Sequence, residues 1–111
     1  ITLDNRLVNC RLTVNEEFHI LQVVREALSN IVRHSGANKV TILMVMKQND
    51  SVELTIDDNG SGFIPADDKY DHHGQAIMKE RAFNLGGIID VMAIRSGGTR
   101  VKLTFIPKLA Q

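Results

Sequence analysis

The sequence has little of what several large protein classes require. It contains one cysteine, Cys10, two prolines and no tryptophan among 111 residues. One cysteine cannot form an internal disulfide or a multi-cysteine metal site, and no apolar run approaches the roughly 18–20 residues of a membrane helix. Thirteen basic and thirteen acidic residues give zero formal charge, whereas proteins that bind phosphate backbones or anionic membranes are usually basic. The composition argues against a disulfide scaffold, nucleic-acid binding and direct membrane contact.

What is present fits one globular domain over residues 1–111. The 43% hydrophobic and 23% charged fractions are ordinary for a soluble protein, and this length suits a single core. Because the chain begins with Ile1 rather than Met, we expect a fragment of a longer protein.

The order of hydrophobic patterns predicts the fold class. Alternating and continuous apolar runs indicate strands, and apolar residues at helical spacing indicate helices. The order β-α-β-β-loop-α-β-β predicts a two-layer α/β sandwich with helices on one face of a mixed sheet. The predicted strands are 6–14, 40–46, 52–57, 88–94 and 99–106, and the predicted helices are 18–34, beginning near Asn15, and 76–85.

The first predicted helix carries two stripes. The apolar stripe, expected to face the core, consists of Phe18, Leu21, Val24, Leu28, Ile31 and Val32. The opposite stripe consists of His19, Gln22, Glu26, Asn30 and Arg33. A solvated face explains most such polar stripes. A carboxylate, an amide oxygen and a guanidinium on one face could also hold a hydrated Mg²⁺ and its phosphates.

Two polar residues share the parity of core-facing strand positions. Asp58 has the parity of Val52, so it either turns into solvent at the strand end or points inward, where a carboxylate needs a partner. Glycines at positions 60 and 62 would allow close backbone approach to a planar ligand. Thr99 either simply starts a strand or hydrogen-bonds a buried partner such as Asp58.

The segment 59–74 is too long for a simple turn, and loops of this length are often binding loops or lids. Tyr70, His72 and His73 lie in it without a suitably spaced third metal ligand, so we interpret them as lid residues. The chain has neither the P-loop pattern nor the dinucleotide-binding glycine pattern that follows a strand.

Four short segments, in order, resemble the boxes of the Bergerat-fold (GHKL) ATPases, the superfamily of DNA gyrase B and histidine kinases. Residues 25–35 (REALSNIVRHS) resemble the N box, and 58–62 (DNGSG) the first glycine box. Residues 74–82 (GQAIMKERA) resemble the second glycine box, and 96–99 (SGGT) the third. The residues within these boxes are similar to those of sensor histidine kinases of the nitrate/nitrite-sensor type.

This resemblance implies a role for each matched residue. Asn30 would ligate Mg²⁺, Glu26 would lie beside the γ-phosphate as the catalytic residue, and Asp58 would accept a hydrogen bond from the adenine amino group. The remaining nucleotide-binding residues implied by the boxes are Arg33 and His34 for phosphates or ribose, Gly60 and Gly62 for clearance of the base, Gly74 and Ile77 in the second glycine box, and Thr99 beside Asp58.

The resemblance further implies ATP and Mg²⁺ as cofactors and γ-phosphoryl transfer to a histidine on a separate dimerisation helix. It also implies a response regulator as partner and a cytoplasmic location for this domain, with the parent protein in the bacterial inner membrane. Two alternatives stay open: a serine-kinase anti-sigma factor of the same fold, and a degenerate regulatory domain. Gln75, where relatives usually have Leu, is the one departure from the pattern and favours the second.

Overall fold

The computed structural model describes residues 1–7, 11–61 and 72–110. Their elements are β1 Thr2–Asn5, α1 Val14–Asn30, β2 Val40–Met46, β3 Val52–Asp58, α2 His72–Asn84, β4 Ile88–Ala93 and β5 Thr99–Phe105. The strands form a five-stranded mixed sheet in the order β1-β2-β3-β5-β4. Strands β1 and β2 are parallel, and every other neighbouring pair is antiparallel, so β2–β3 and β4–β5 are hairpins.

The core lies between the two helices and one face of the sheet. Alternate strand residues point to the same face, so the register aligns apolar residues in rows across β2, β3 and β5. One row joins Ile42, Ile56 and Val101, and the next joins Leu54 to Leu103. The helical residues buried against these rows are Ile20, Val23, Ala27, Met78 and Ala82. The predicted two-layer sandwich is therefore correct.

The prediction of a strand over 6–14 is wrong for the described part of that range. The edge strand is Thr2–Asn5, and α1 already begins at Val14. Thr13 caps this helix, because its hydroxyl accepts from the Glu16 N–H at 3.0 Å while the Glu16 carboxylate accepts from the Thr13 N–H at 2.8 Å. Because this capping box satisfies two backbone N–H groups, it favours the start of a helix at Val14 over a strand.

The prediction of which face α1 buries is wrong for three of the six residues in the apolar stripe. Phe18 is 48% exposed, Leu21 58% and Val32 84%, whereas the core contains Ile20, Val23 and Ala27. Leu28, Val24 and Ile31 from the predicted stripe are partly buried against the core. Apolar residues surround this helix, so its rotation depends on tertiary contacts rather than on its own pattern.

A glycine with a positive φ follows each helical segment. After Asn30 one π-helical turn, Ile31–Ser35, continues the helix, and Gly36 ends this turn with a φ of 64°. Helix α2 begins at His72, earlier than predicted, and ends where the Gly86 N–H donates to the Phe83 carbonyl at 2.9 Å. A φ of 68° at Gly86 makes glycine the favoured residue there.

Charged residues line the sheet face opposite the core. The Arg100 guanidinium donates two hydrogen bonds of 2.8 Å to the Asp57 carboxylate, and these bonds raise the pKa of Arg100 above its ordinary value. The Nζ atoms of Lys47 and Lys102 each lie 3.7 Å from a carboxylate oxygen of Glu53. None of the helices within the described ranges is both long and apolar enough to cross a membrane.

Candidate functional site

The site begins with a buried carboxylate at the end of a central strand. Asp58 is the last residue of β3, pairs with Val40 across the sheet and is 6% exposed. One of its oxygens, Oδ1, accepts a hydrogen bond of 2.8 Å from the Gly60 N–H. The inward position predicted by strand parity is confirmed, and its partner is a backbone amide of the following loop.

Gly98 brings the last hairpin against the backbone of Asp58. A Cβ atom on Gly98 would collide with the Asp58 carbonyl oxygen and lie 2.8 Å from the carbonyl carbon. Asp57 pairs with Arg100, and Thr99 is the residue before Arg100 at the start of β5, so the register places Thr99 near Asp58. A hydrogen bond between Thr99 and Asp58, and a role of Thr99 towards a nucleotide, stay predictions.

Gly60 makes a second close approach, to the end of the first helix. A Cβ atom on Gly60 would collide with the Ser35 carbonyl oxygen and lie 2.5 Å from the Ser35 Cβ. The absence of a side chain at Gly60 therefore lets the loop pack on the π-helical turn. Clearance of an adenine base by Gly60 stays a prediction, and Gly62 lies outside the described residues.

Asn30 and the residues of the π-helical turn form the second part of the site. Asn30 ends α1, and its Oδ1 accepts a hydrogen bond of 3.1 Å from the Arg33 guanidinium. The Arg33 Nε also lies 3.4 Å from the Ser29 carbonyl oxygen. Arg33 and His34 are exposed and lie within the π-helical turn. Single π-helical turns are rare and often occur at functional sites.

Glu26 lies one helical turn before Asn30 and lines an open groove between α1 and α2. The groove has a volume of about 410 Å³. Ile77 of α2 lines it as well, so the structure brings together one residue predicted from the N box and one from the second glycine box. Gly74 is buried in the first turns of α2. The residues lining the groove are Gln22, Arg25, Glu26, Ser29, Ile77, Glu80 and Arg81.

Arg81 belongs to the second glycine box but has no predicted role, and in the structure it contacts α1. Its guanidinium carbon lies 5.3 Å from the centre of the Phe18 ring, and its Nη1 lies 3.5 Å from His19 Nδ1. Ile77 and Arg81 are four residues apart and therefore lie on one face of α2. This spacing is the sequence feature that could have identified Arg81 as a groove residue. Arg81 therefore both lines the groove and contacts Phe18 and His19 near the start of α1.

His19 does not belong to the phosphate end of the stripe in which it was placed. It is 7% exposed, beside Arg81, and lies eleven residues before Asn30 on α1. At about 1.5 Å rise per residue, that separation is about 16 Å along the helix. The polar stripe therefore divides into a site-forming part, Glu26 to Arg33, and a helix-packing part at His19.

The two parts of the site differ in chemistry and are joined by backbone contacts. A buried carboxylate can recognise a planar base through an exocyclic amino group, and a carboxylate, an amide oxygen and a guanidinium suit hydrated metal and phosphate. Helices on one face of a mixed sheet, with these groups at the end of β3 and the end of α1, define the class of ATPase-type α/β sandwiches.

Comparison with known proteins identifies the family. Residues 15–110 match the model of the histidine kinase-, DNA gyrase B- and HSP90-like ATPases, and the chain belongs to this family. It is 39% identical over 108 residues to the nitrate/nitrite sensor protein NarX of Escherichia coli K12, covering 97% of this chain and 18% of NarX. It is 40% identical over 87 residues to the sensor histidine kinase LiaS of Bacillus subtilis 168, covering 78% of this chain and 24% of LiaS.

Solved structures agree with this assignment. The ATP binding domain of PrrB from Mycobacterium tuberculosis matches with a TM-score of 0.70 and 27% identity, covering 95% of this chain and 80% of that one. The blue-light activated histidine kinase EL346 of Erythrobacter litoralis matches with a TM-score of 0.78 and 22% identity, covering 99% of this chain and 35% of that one. The predicted Bergerat fold and homology to sensor histidine kinases are confirmed. The chain spans less than a quarter of the length of the two curated relatives.

Proposed function

We propose that this domain binds ATP with Mg²⁺ and donates the γ-phosphate to a histidine on a separate dimerisation helix. The observation that carries the proposal is Asp58, a buried carboxylate at the end of β3, whose loop packs on the helix end that holds Asn30 and Arg33. A carboxylate buried without a charged partner is costly, and a ligand amino group would offset that cost. The family assignment supports the same conclusion.

The base end of the site follows from the bonds of Asp58. Because Oδ1 accepts from the Gly60 N–H, we assign the second oxygen, Oδ2, to the amino group of adenine. Guanine carries a carbonyl oxygen at the corresponding position, and a carboxylate would repel it. Thr99 and the glycines at 60 and 62 complete this end of the proposed site.

The phosphate end is built from Asn30, Arg33 and His34. Amide oxygens have two lone pairs, so Asn30 Oδ1 can accept from Arg33 and still ligate a cation. This donor set fits Mg²⁺, which prefers oxygen ligands and retains part of its water. When bound, the ion would neutralise charge on the phosphate oxygens. Gly74, near the start of α2, would let the phosphates approach the helix backbone.

Glu26 is the residue we assign to the transfer step. In this step a histidine imidazole nitrogen forms a bond to the γ-phosphorus, the bond to the bridging oxygen breaks, and ADP leaves. Glu26 would accept a hydrogen bond from the attacking imidazole and orient it, since positioning and charge stabilisation supply most of the catalysis. Its place on the α1–α2 groove, together with Ile77, gives the acceptor a route to this carboxylate.

We further propose that residues 1–111 act as one catalytic domain of a longer two-component sensor kinase with a response regulator as partner. The names of its relatives support a signalling kinase, and the nitrate/nitrite-sensor type and a membrane-anchored parent with this domain in the cytoplasm belong to the same proposal. We expect no phosphohistidine on the isolated chain. Acid-labile phosphate on the isolated chain after incubation with ATP would contradict this expectation.

Nucleotide binding tests the proposal directly. Thermal unfolding is measured with ADP, ATP and GTP, each with and without Mg²⁺. A ligand at 100 times its dissociation constant stabilises by about 2.7 kcal/mol, which raises Tm by about 11 °C in a domain of this size. We expect adenine nucleotides with Mg²⁺ to raise Tm and GTP to leave it unchanged.

Asp58→Asn and Asp57→Asn make a matched pair for the same assay. The two residues are adjacent, but Asp57 points to the opposite sheet face and pairs with Arg100. We expect Asp58→Asn to lose the nucleotide shift and Asp57→Asn to retain it. A full ADP shift with Asp58→Asn would remove Asp58 from the base pocket.

A further inference from the structure

Two short segments that hold different parts of the site are tied together by Asn59. The Asn59 side-chain oxygen accepts hydrogen bonds from the Asn38 and Lys39 N–H groups at 3.1 and 3.0 Å. Its amide nitrogen donates to the Asn38 side-chain oxygen at 2.6 Å, and its N–H donates to the Lys39 carbonyl at 3.2 Å. One side chain therefore joins the loop after β3 to the segment that follows the π-helical turn.

Ser35 makes a second tie between the same segments. Its carbonyl oxygen accepts a hydrogen bond of 2.8 Å from the Ser61 N–H, and Gly60 packs directly on it. Its hydroxyl donates to the Ile31 carbonyl and accepts from the Ala37 N–H, both at 3.0 Å. The hydroxyl thus closes the π-helical turn at the point where the loop after β3 rests on it.

These ties connect the two ends of the proposed nucleotide site. On one side, the Gly60 N–H holds the Asp58 carboxylate. On the other, Ser35 shares the π-helical turn with Arg33 and His34. The distance between the base-binding carboxylate and the phosphate-binding groups therefore depends on the contacts of Asn59 and Ser35.

We propose that Asn59 and Ser35 are positioning residues that fix the spacing between the base pocket and the phosphate pocket. This inference rests on the proposed function. A ligand that spans two sites gains affinity from a fixed spacing, because binding at one end places the other end at high effective concentration. A ligand that occupies only the base pocket does not depend on this spacing.

The test compares ADP with adenosine, each measured by calorimetric titration in the presence of Mg²⁺. Asn59→Ala/Ser35→Ala is the test variant. Asn49→Ala/Ser51→Ala is its matched control, because Asn49 accepts from the Ser51 N–H and hydroxyl in the turn at the other end of the β2–β3 hairpin. Both variants make the same two chemical changes and remove side-chain bonds that tie a loop.

We expect the test variant to bind ADP about tenfold more weakly, equivalent to about 1.4 kcal/mol, and adenosine less than threefold more weakly. The control variant should unfold at a lower temperature and bind ADP within about twofold of the parent. Ser35→Ala alone, which replaces serine by a good helix former, should lose about threefold in ADP affinity and decides the question if the double variant does not fold.

Two results would overturn the positioning role while leaving the proposed function intact. One is unchanged ADP affinity in the test variant, and the other is an equal loss for ADP and adenosine, which would indicate damage to the base pocket alone. A parent protein that binds neither ligand would refute the proposed function, and the positioning role with it.

Discussion

Glu16 offers a quantitative test of how the first helix is held in place. Glu16 is only 3% exposed, and its two carboxylate oxygens accept hydrogen bonds from backbone N–H groups that are far apart in sequence. Oε1 accepts from Thr13 at 2.8 Å, which closes the capping box, and Oε2 accepts from Lys108 at 3.0 Å. One carboxylate therefore fixes the start of α1 to the short 3₁₀ turn Lys108–Ala110 after the last strand.

Glu16→Ala removes both bonds and leaves two N–H groups without their acceptor. Hydrogen bonds to a charged group contribute about 1.5–3 kcal/mol each, so two give about 3–6 kcal/mol as an upper range. Both N–H groups are only partly buried, and water will replace part of each bond. We therefore expect a loss of about 3 kcal/mol, which lowers Tm by about 12 °C in a domain of this size.

Urea unfolding of Glu16→Ala, with Glu17→Ala as control, measures this loss. Glu17 is the exposed neighbour in the same first turn, so it shares the favourable effect of an acidic residue near the helix N-terminus but lacks the buried bonds. We expect Glu17→Ala to cost less than about 1 kcal/mol. A cost for Glu16→Ala within about 0.5 kcal/mol of the control would show that neither buried bond stabilises the fold.

Three further substitutions address the site and the helix pair. Gly98→Ala would place a Cβ against the Asp58 carbonyl and should weaken ADP binding by more than tenfold in calorimetric titration. An affinity equal to that of the parent would contradict the close packing of the first and third glycine boxes. Asn30→Asp should change the Mg²⁺ dependence of ADP binding more than base selectivity, and identical Mg²⁺ titrations would remove Asn30 from the metal site. Arg81→Met should cost less than about 1 kcal/mol in urea unfolding. The reason is that the buried Arg81 Nε has no hydrogen-bond acceptor among the residues described, and methionine removes that unpaired group. A loss above about 3 kcal/mol would mean that the contacts of Arg81 with Phe18 and His19 stabilise strongly.

The sequence locates the strands of the β2–β3 and β4–β5 hairpins, because each hairpin joins strands across a short turn. In residues 52–58 the alternation fixes the core face, since a shift of one residue would expose Val52, Leu54 and Ile56. Parity left two positions open for Asp58 at the strand end, and the structure has the inward one. The pairings β1–β2 and β3–β5 join strands far apart in the chain, and no local pattern predicts them.

The rotation of α1 was not predictable from the same kind of pattern. Phe18 and Leu21 satisfy helical spacing as well as Ile20 and Val23 do, so the pattern allows both faces. The contact that fixes the start of the helix joins Glu16 to Lys108, ninety-two positions away. A polar residue that is buried through such a bond cannot be distinguished from a surface glutamate in the sequence.

The glycine boxes show the same division between pattern and contact. Gly60 signals that a backbone or a ligand comes close, and the sequence favoured a ligand there, whereas Gly98 was matched only as part of the third glycine box. The structure shows that the protein itself makes both approaches, through Ser35 and through Asp58. Which partner fills the space left by a missing side chain depends on elements that are distant in the chain.

The two ends of the proposed nucleotide site stand on different elements. Asp58 ends a strand with neighbours on both sides, so moving it would break the pairing of β3 with β2 or disturb the packing of Gly98. Arg33 and His34 are exposed on a single π-helical turn outside the sheet. The proposed base pocket therefore depends on the sheet, and the proposed phosphate pocket depends on the end of the first helix. Asn59 and Ser35 make contacts that join these two elements.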